Sequence, residues 1–195
     1  MISVDDALGE LFALVSPLTS ETVPLGQASG RVLAETVSAQ REQPPFAASA
    51  MDGYAISATD YVAGRTLVVL GEAAAGARYE GTLKTGQAVR IFTGAPVPKG
   101  ADWVVIQEDV DAHAGQITIR ETSESSPYIR PAGADFKIGQ SLKAAQILTP
   151  QLVALLASMN IAQVPVMRRP DVALISPGSA LVMPGDNPGP AQISA

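Results

Sequence analysis

Across residues 43–56, "QPPFAASAMDGYAI", the only charged side chain is Asp52, set between Met51 and Gly53. A lone carboxylate among small residues reads in two ways. It is a turn acid bonding local amides, or an acid held out on a loop to do chemistry. Forty residues on, "RIFTGAPVPKG" places Thr93 before Gly94. Gly94 lets a strand turn, and a hydroxyl beside glycine suits contact with an anion or a metal-bound water. Lys99 and Gly100 read as an exposed turn. In "IRPAGADF", Arg130 is either an ion-pair partner or a phosphate-holding group. The one histidine, His113 in "DAHAGQ", reads as a solvated hairpin tip, and Trp103 and Phe92 as core.

Composition narrows the chemistry. The 195 residues contain no cysteine and one histidine, which excludes disulfides, thiolate metal sites, cysteine nucleophiles and any two-histidine scheme. Net charge is −6 and the pI about 4.7, and the tightest basic grouping is the pair Arg168-Arg169. Such a chain is a poor non-specific binder of nucleic acid, because phosphate contacts need clustered Lys and Arg. Hydrophobic residues make up 47%, charged residues 16%, and mean hydropathy is +0.20, a globular composition. The start "MISVDDALGELFALV" carries acids and no basic residue, unlike a signal peptide. No apolar run approaches the ~20 residues of a membrane span. The expectation is a soluble cytoplasmic protein.

These side chains need elements to position them. Residues 3–16 predict a helix: Ser3 and Asp6 suit a capping box, Val4, Leu8, Leu11 and Val15 follow helical spacing, and Pro17 stops it. Its apolar stripe predicts a docking face. A strand is expected at 36–39, and Pro44-Pro45 marks a boundary. Residues 54–143 predict an all-β unit: "AISA", "TLVVLG", "QAVRIF", "DWVVIQEDV" and "QITIRE" are short β-rich runs between Gly and Pro, suggesting a small barrel or sandwich. Thr149 and Pro150 open a helix over 149–159 that Asn160 can close, followed by a strand in "IAQVPVM". The apolar run 171–176, "DVALIS", reads as the first strand of a parallel α/β unit, begun and left unfinished, as in a fragment or a shortened protein.

The ordered stretches "PPFAASAMDGYAI", "RIFTGAPVPKGADWVVIQE", "IRPAGADF" and "LLASMNIAQVPV" leading to "VALISPGSALVMPG" resemble the N-terminal part of the MoeA/gephyrin E-domain family, the molybdopterin molybdenumtransferases. The resemblance implies an α+β, mostly-β chain: an elongated domain I from 20–42 and 141–170, an inserted β-barrel domain II over 43–140, and an N-terminal helix, 1–19, docking on a molybdopterin-binding α/β domain III that begins at 171–195. It implies a homodimer, with other cofactor-biosynthesis proteins as further partners and no membrane. The implied reaction inserts molybdate into adenylated molybdopterin with release of AMP and depends on magnesium. Carried over residue by residue, Asp52, Thr93 and Asp135 become catalytic candidates, and Ser49, Gly94 and Arg130 substrate-binding ones. The metal ligands are not identified.

Departures from the family pattern matter as much. Phe-Asp-Asn-Ser-Ala-Met-Asp is here Phe46-Ala47-Ala48-Ser49-Ala50-Met51-Asp52. The acid expected before Asp135 is Ala134, and Ser-Thr-Gly-Asp-Glu-Leu is here Ser176-Pro177-Gly178-Ser179-Ala180-Leu181. Each change removes a charge, donor or acceptor, so the chain is not expected to be competent alone. Two alternatives stand beside the enzyme reading: a non-catalytic dimerisation or scaffold paralogue, and an anion-binding β-barrel module.

Overall fold

The computed structural model describes residues 2–120, 122, 125–175, 178 and 180–194. The chain falls into two compact units, Met1–Glu21 with Met167–Ala195, and Thr22–Val166.

In the first unit, α1 spans Val4–Ala13. The expected capping box is present: the Asp6 N–H donates to Ser3 Oγ at 3.1 Å and the Ser3 N–H to Asp6 Oδ2 at 3.4 Å. The helix ends before the expected residue 16, because Ser16 precedes Pro17 and is pushed out of the helical region. Its apolar stripe is not packed: none of its residues is buried, and Val4, Leu11 and Phe12 are exposed. The strand expected at 171–176 is also not formed over its described residues 171–175; Val172, Leu174 and Ile175 are exposed and join no ladder. An extended apolar run becomes a strand only when neighbours accept its backbone bonds. The short strands β13 (Leu181–Val182) and β14 (Ile193–Ser194) pair in parallel.

The second unit holds the remaining elements: β1 (Ser20–Pro24), β2 (Val37–Ser38), β3 (Ala48–Ser49), β4 (Gly53–Ile56), β5 (Thr66–Ala73), β6 (Gln87–Ile91), β7 (Trp103–Ile106), β8 (Val110–His113), β9 (Gln116–Ile119), β10 (Ile129–Arg130), β11 (Ser141–Leu142), α2 (Pro150–Ser158) and β12 (Gln163–Met167), with β1 and β12 reaching just past its limits. One core gathers Leu33, Leu148, Leu156, Val164 and Val166, with Phe136, from segments distant in sequence. Its helix begins as expected, with the Leu152 N–H on Thr149 Oγ1. It ends in a Schellman turn: Asn160 has φ 66°, the Ile161 N–H reaches Leu156 O and the Asn160 N–H reaches Ala157 O. Two-stranded pairs β1–β12 and β2–β11 border this core.

The β-rich middle is a single six-stranded sheet in the order β7-β4-β6-β5-β9-β8. It curls into a half-barrel and does not close into the barrel expected from the sequence. The β7 edge is instead covered by the chain near residue 127, where the Val104 N–H donates to Pro127 O. Apolar residues alternate between two cores, one holding Ala55, Val89, Ile91 and Val104, the other Ile56, Ala88 and Val105. Both faces of β4, β6 and β7 are therefore buried, which explains the unbroken apolar runs. β5 and β6 are parallel, so residues 74–86 form the crossover such a pair needs. Trp103 packs on the second core and stacks on Tyr61 at 4.7 Å, as a core residue should. Phe92 is only half-buried and lies against Arg90 instead. His113 is exposed beside the Ala114-Gly115 turn joining β8 to β9, as expected. No described helix is long and apolar enough to cross a membrane.

Candidate functional site

Three strands of the sheet bring their ends together at one point. β4 begins at Gly53, just after Asp52; β6 ends at Ile91, just before Phe92 and Thr93; β7 ends at Ile106, just before Gln107. Register fixes this meeting, since Gly53 is opposite Ile91 on one side and Ile106 on the other. Asp52 and Thr93 thereby touch. Asp52 Oδ1 accepts both the Thr93 N–H and the Thr93 hydroxyl, each at 2.8 Å. No described residue bonds Oδ2, and Asp52 is only partly covered. The Asp52 peptide is held by the Gln107 N–H, which donates to its carbonyl at 3.1 Å.

These bonds favour the ionised carboxylate. The Thr93 amide, then the Thr93 hydroxyl, with a smaller contribution from the Arg90 charge, hold the Asp52 pKa below the usual aspartate value, against a small opposing effect of burial. A group with a depressed folded pKa stabilises the fold above its unfolded value, ~3.9, and loses that contribution as pH falls through the lower folded one. Thr93→Val removes the hydroxyl but keeps the amide, the larger influence. The Asp52 pKa is then expected to rise part-way towards its ordinary value in a carboxyl NMR titration; an unchanged titration would contradict the hydroxyl bond.

The other predicted residues divide. Ser49 is buried at 1% exposure, its Oγ donating to Met51 O at 2.6 Å and accepting the Met51 N–H at 3.3 Å. It lies beneath the Asp52 loop and shapes it. The Gly94 N–H donates to Ser49 O at 2.9 Å, and Gly94 has φ 81°, so the glycine makes the turn and locks the two loops together. Arg130 and Asp135 form an ion pair at 2.7 Å, both about half exposed. Arg130 sits opposite Ala48 in the β3–β10 pair, four residues from Asp52, a separation of at most ~14 Å along the chain. No hydrogen bond or ion pair joins the Arg130–Asp135 pair to the Asp52–Thr93 pair. Of the motif departures, Ala48 is buried while Ala47, Ala134 and Ala180 are exposed; Ser176, Pro177 and Ser179 lie outside the described residues.

Among the described residues no group of three or more His, Asp or Glu side chains could hold a metal ion. Asp52 has one oxygen committed to Thr93 and Asp135 is paired with Arg130. Magnesium is usually bound through one or two carboxylates together with substrate oxygens. These residues do not by themselves make a magnesium site.

Arg90 and Gln107 escaped the sequence reading. The Arg90 guanidinium carbon lies 5.0 Å from both the Tyr54 and Phe92 ring centres. It donates from Nη1 to Gly53 O at 3.4 Å and from Nη2 to Gln107 Oε1. With Tyr54, Val69 and residues 112–116, Arg90 lines a groove of about 270 Å³. The sequence offers only Phe92 two residues after Arg90 in "RIF"; Tyr54 comes opposite Arg90 through the strand register, which the sequence does not state.

Fold and site together define a mostly-β module with a curled sheet, presenting an ionised carboxylate and a hydroxyl from adjoining loops. Comparison with known proteins sharpens this. The family described as MoeA N-terminal region (domain I and II) matches residues 2–160. The molybdopterin molybdenumtransferase 2 of Mycobacterium tuberculosis is 41% identical over 179 residues, covering 88% of this chain and 44% of that protein. The molybdopterin molybdenumtransferase of Haemophilus influenzae is 37% identical over 188 residues, covering 95% and 46%. A crystal structure of a molybdopterin biosynthesis MoeA protein from Pyrococcus horikoshii superposes with a TM-score of 0.82 at 36% identity, covering 93% of this chain and 50% of that one. The chain belongs to the MoeA family, whose N-terminal region it contains. It spans about half the length of the curated relatives it matches.

Proposed function

We propose that this chain supplies the N-terminal half of a molybdenum-cofactor biosynthesis protein that inserts molybdate into adenylated molybdopterin with release of AMP. The observation that carries this reading is the Asp52–Thr93 contact. Two motifs that are specific for the family only together, "SAMDGYA" and "FTGAPVP", converge on one carboxylate oxygen and leave the other free among the described residues. In this reading 20–42 with 141–170 form a linking and dimerising domain I, 43–140 form domain II, and 1–19 with 171–195 are parts of domain III. The chain acts as a homodimer, and the face of Asp52 is completed by domain III of the partner subunit. It is not competent alone.

The two Thr93 bonds favour the charged form of Asp52. An aspartate held ionised is a weak general base at neutral pH, since efficient proton transfer needs a pKa near the working pH. Asp52 instead fixes a negative charge and a hydrogen-bond acceptor at the cleft, orienting a donor or cation brought by substrate or partner. Any magnesium in the complete site draws on substrate oxygens rather than on a carboxylate cluster of this chain.

The test is Asp52→Asn in a protein that joins this chain to the rest of its curated relatives' length. Molybdenum insertion is expected to fall ~100-fold with the melting temperature unchanged. A second reading, a non-catalytic scaffold, is favoured by one observation: Ala47 and Ala134, where the family pattern has acids, stand exposed with no polar replacement. No molybdenum insertion by the wild-type protein of full length would favour that reading, whereas full activity of Asp52→Asn would reject the role given to Asp52.

A further inference from the structure

Arg90 is placed to do more than fill space. Its strand runs directly into Phe92 and Thr93, its Nη1 bonds the carbonyl of Gly53, and its Nη2 bonds Gln107, whose own N–H holds the carbonyl of Asp52. All three strand ends that build the site are thus tied to one planar fork, and the Tyr54 and Phe92 rings clamp that fork. Arg90 forms no ion pair with the Asp52 carboxylate within 4.0 Å; its charge acts on Asp52 only as the smallest influence, so it is first of all a brace behind the carboxylate. Arginine suits this role: a rigid guanidinium can bond two acceptors at a fixed angle and stack on rings, which a lysine ammonium cannot reproduce.

We propose that Arg90 is the positioning residue of this site, holding Gly53 and Gln107 in the one arrangement that lets Thr93 donate twice to Asp52. The geometric claim concerns this chain alone; its consequence for catalysis rests on the function proposed above. The other titratable groups near Arg90 are Glu72, its register partner on β5, Glu108, which accepts from the Gln107 side-chain amide at 3.0 Å, and His113, across the shared groove. None of the three bonds the Arg90 fork, which leaves Gly53 and Gln107 as its only described acceptors.

Three variants test the brace: Arg90→Met keeps the stem and loses fork and charge, Arg90→Lys keeps the charge and loses the fork, and Gln107→Ala cuts the link from the other side. The readouts are hydrogen exchange at the Thr93 amide and NMR titration of the Asp52 carboxyl, in the chain as it stands. Arg90→Met and Arg90→Lys are both expected to speed Thr93 amide exchange about 10-fold, the loss of roughly one hydrogen bond, and to raise the Asp52 pKa. Gln107→Ala should move both in the same direction by less. Thr93 exchange unchanged in folded Arg90→Met, or fully restored by Arg90→Lys, would overturn the proposal. If Arg90→Met does not fold, Gln107→Ala decides, and wild-type exchange in that variant overturns it. None of these readouts involves turnover, so their failure would leave the proposed reaction standing, and an active Asp52→Asn protein would leave the brace standing.

Discussion

Alanine at position 53 is expected to destabilise the Thr22–Val166 unit by about 3–5 kcal/mol, beyond the usual range for one added methyl. The reason is steric. A Cβ on Gly53 would lie 1.9 Å from the Val105 carbonyl oxygen and 3.0 Å from the Ile106 Cα. Both obstacles are backbone, so no rotamer change relieves them. β4 would have to part from β7, breaking a ladder that runs from Gly53–Ile106 to Ile56–Trp103. That movement is itself resisted, because β6 holds the opposite edge of β4. The same shift would pull Asp52 from Thr93. Thermal unfolding should show a loss of about 10 °C or more, and the Asp52 carboxyl should titrate closer to an ordinary aspartate. A Gly53→Ala chain as stable as wild type would mean that the strands do not approach as closely as described. This also bears on why a glycine follows the acid in "AMDGYA": the strand contact that places Asp52 leaves no room for a side chain at the next position.

Asp60→Ala is the second large expected loss, about 2–4 kcal/mol in denaturant unfolding. Asp60 is fully buried at the end of the short helical turn Ala58–Asp60. Its Oδ1 accepts from Arg65 Nε at 3.1 Å and Nη2 at 2.9 Å, and its Oδ2 accepts the Gly86 N–H at 2.7 Å. One carboxylate therefore fastens the β4–β5 connection to the entry of β6. Alanine would leave the Gly86 amide without its acceptor and Arg65 without its carboxylate. Because Arg65 is 45% exposed, water compensates it in part, which keeps the estimate below that for a fully buried pair. Asp60→Asn keeps the shape and one acceptor and should lose less. A change under about 1 kcal/mol for Asp60→Ala would show that water replaces all three bonds.

The helices were legible because their signals are local. Ser3 with Asp6, and Thr149 with Pro150, each state a helix start within four residues, and both are found. The β-rich runs were legible as strands for the same reason. Their arrangement was not. Nothing in "TLVVLG" and "QAVRIF" states that they pair in parallel through a crossover, or that the sheet stays open at β7 and β8. The apolar run at 171–175 misled because hydrophobicity signals burial only when a partner surface is present. Asp52 and Thr93 lie 41 residues apart, so spacing could not state their contact; family resemblance made each a candidate without pairing them. Asp60 and Arg90 went unremarked because a charged residue in a sequence does not show which carbonyls and amides the fold will bring to it.

The central proposal is that an ionised carboxylate at position 52, held by Thr93, serves molybdenum insertion in a protein of the relatives' full length. Molybdenum insertion by the complete protein, compared between wild type and Asp52→Asn at matched melting temperature, tests it most directly. The account predicts a ~100-fold lower rate for the variant. Equal rates would contradict it.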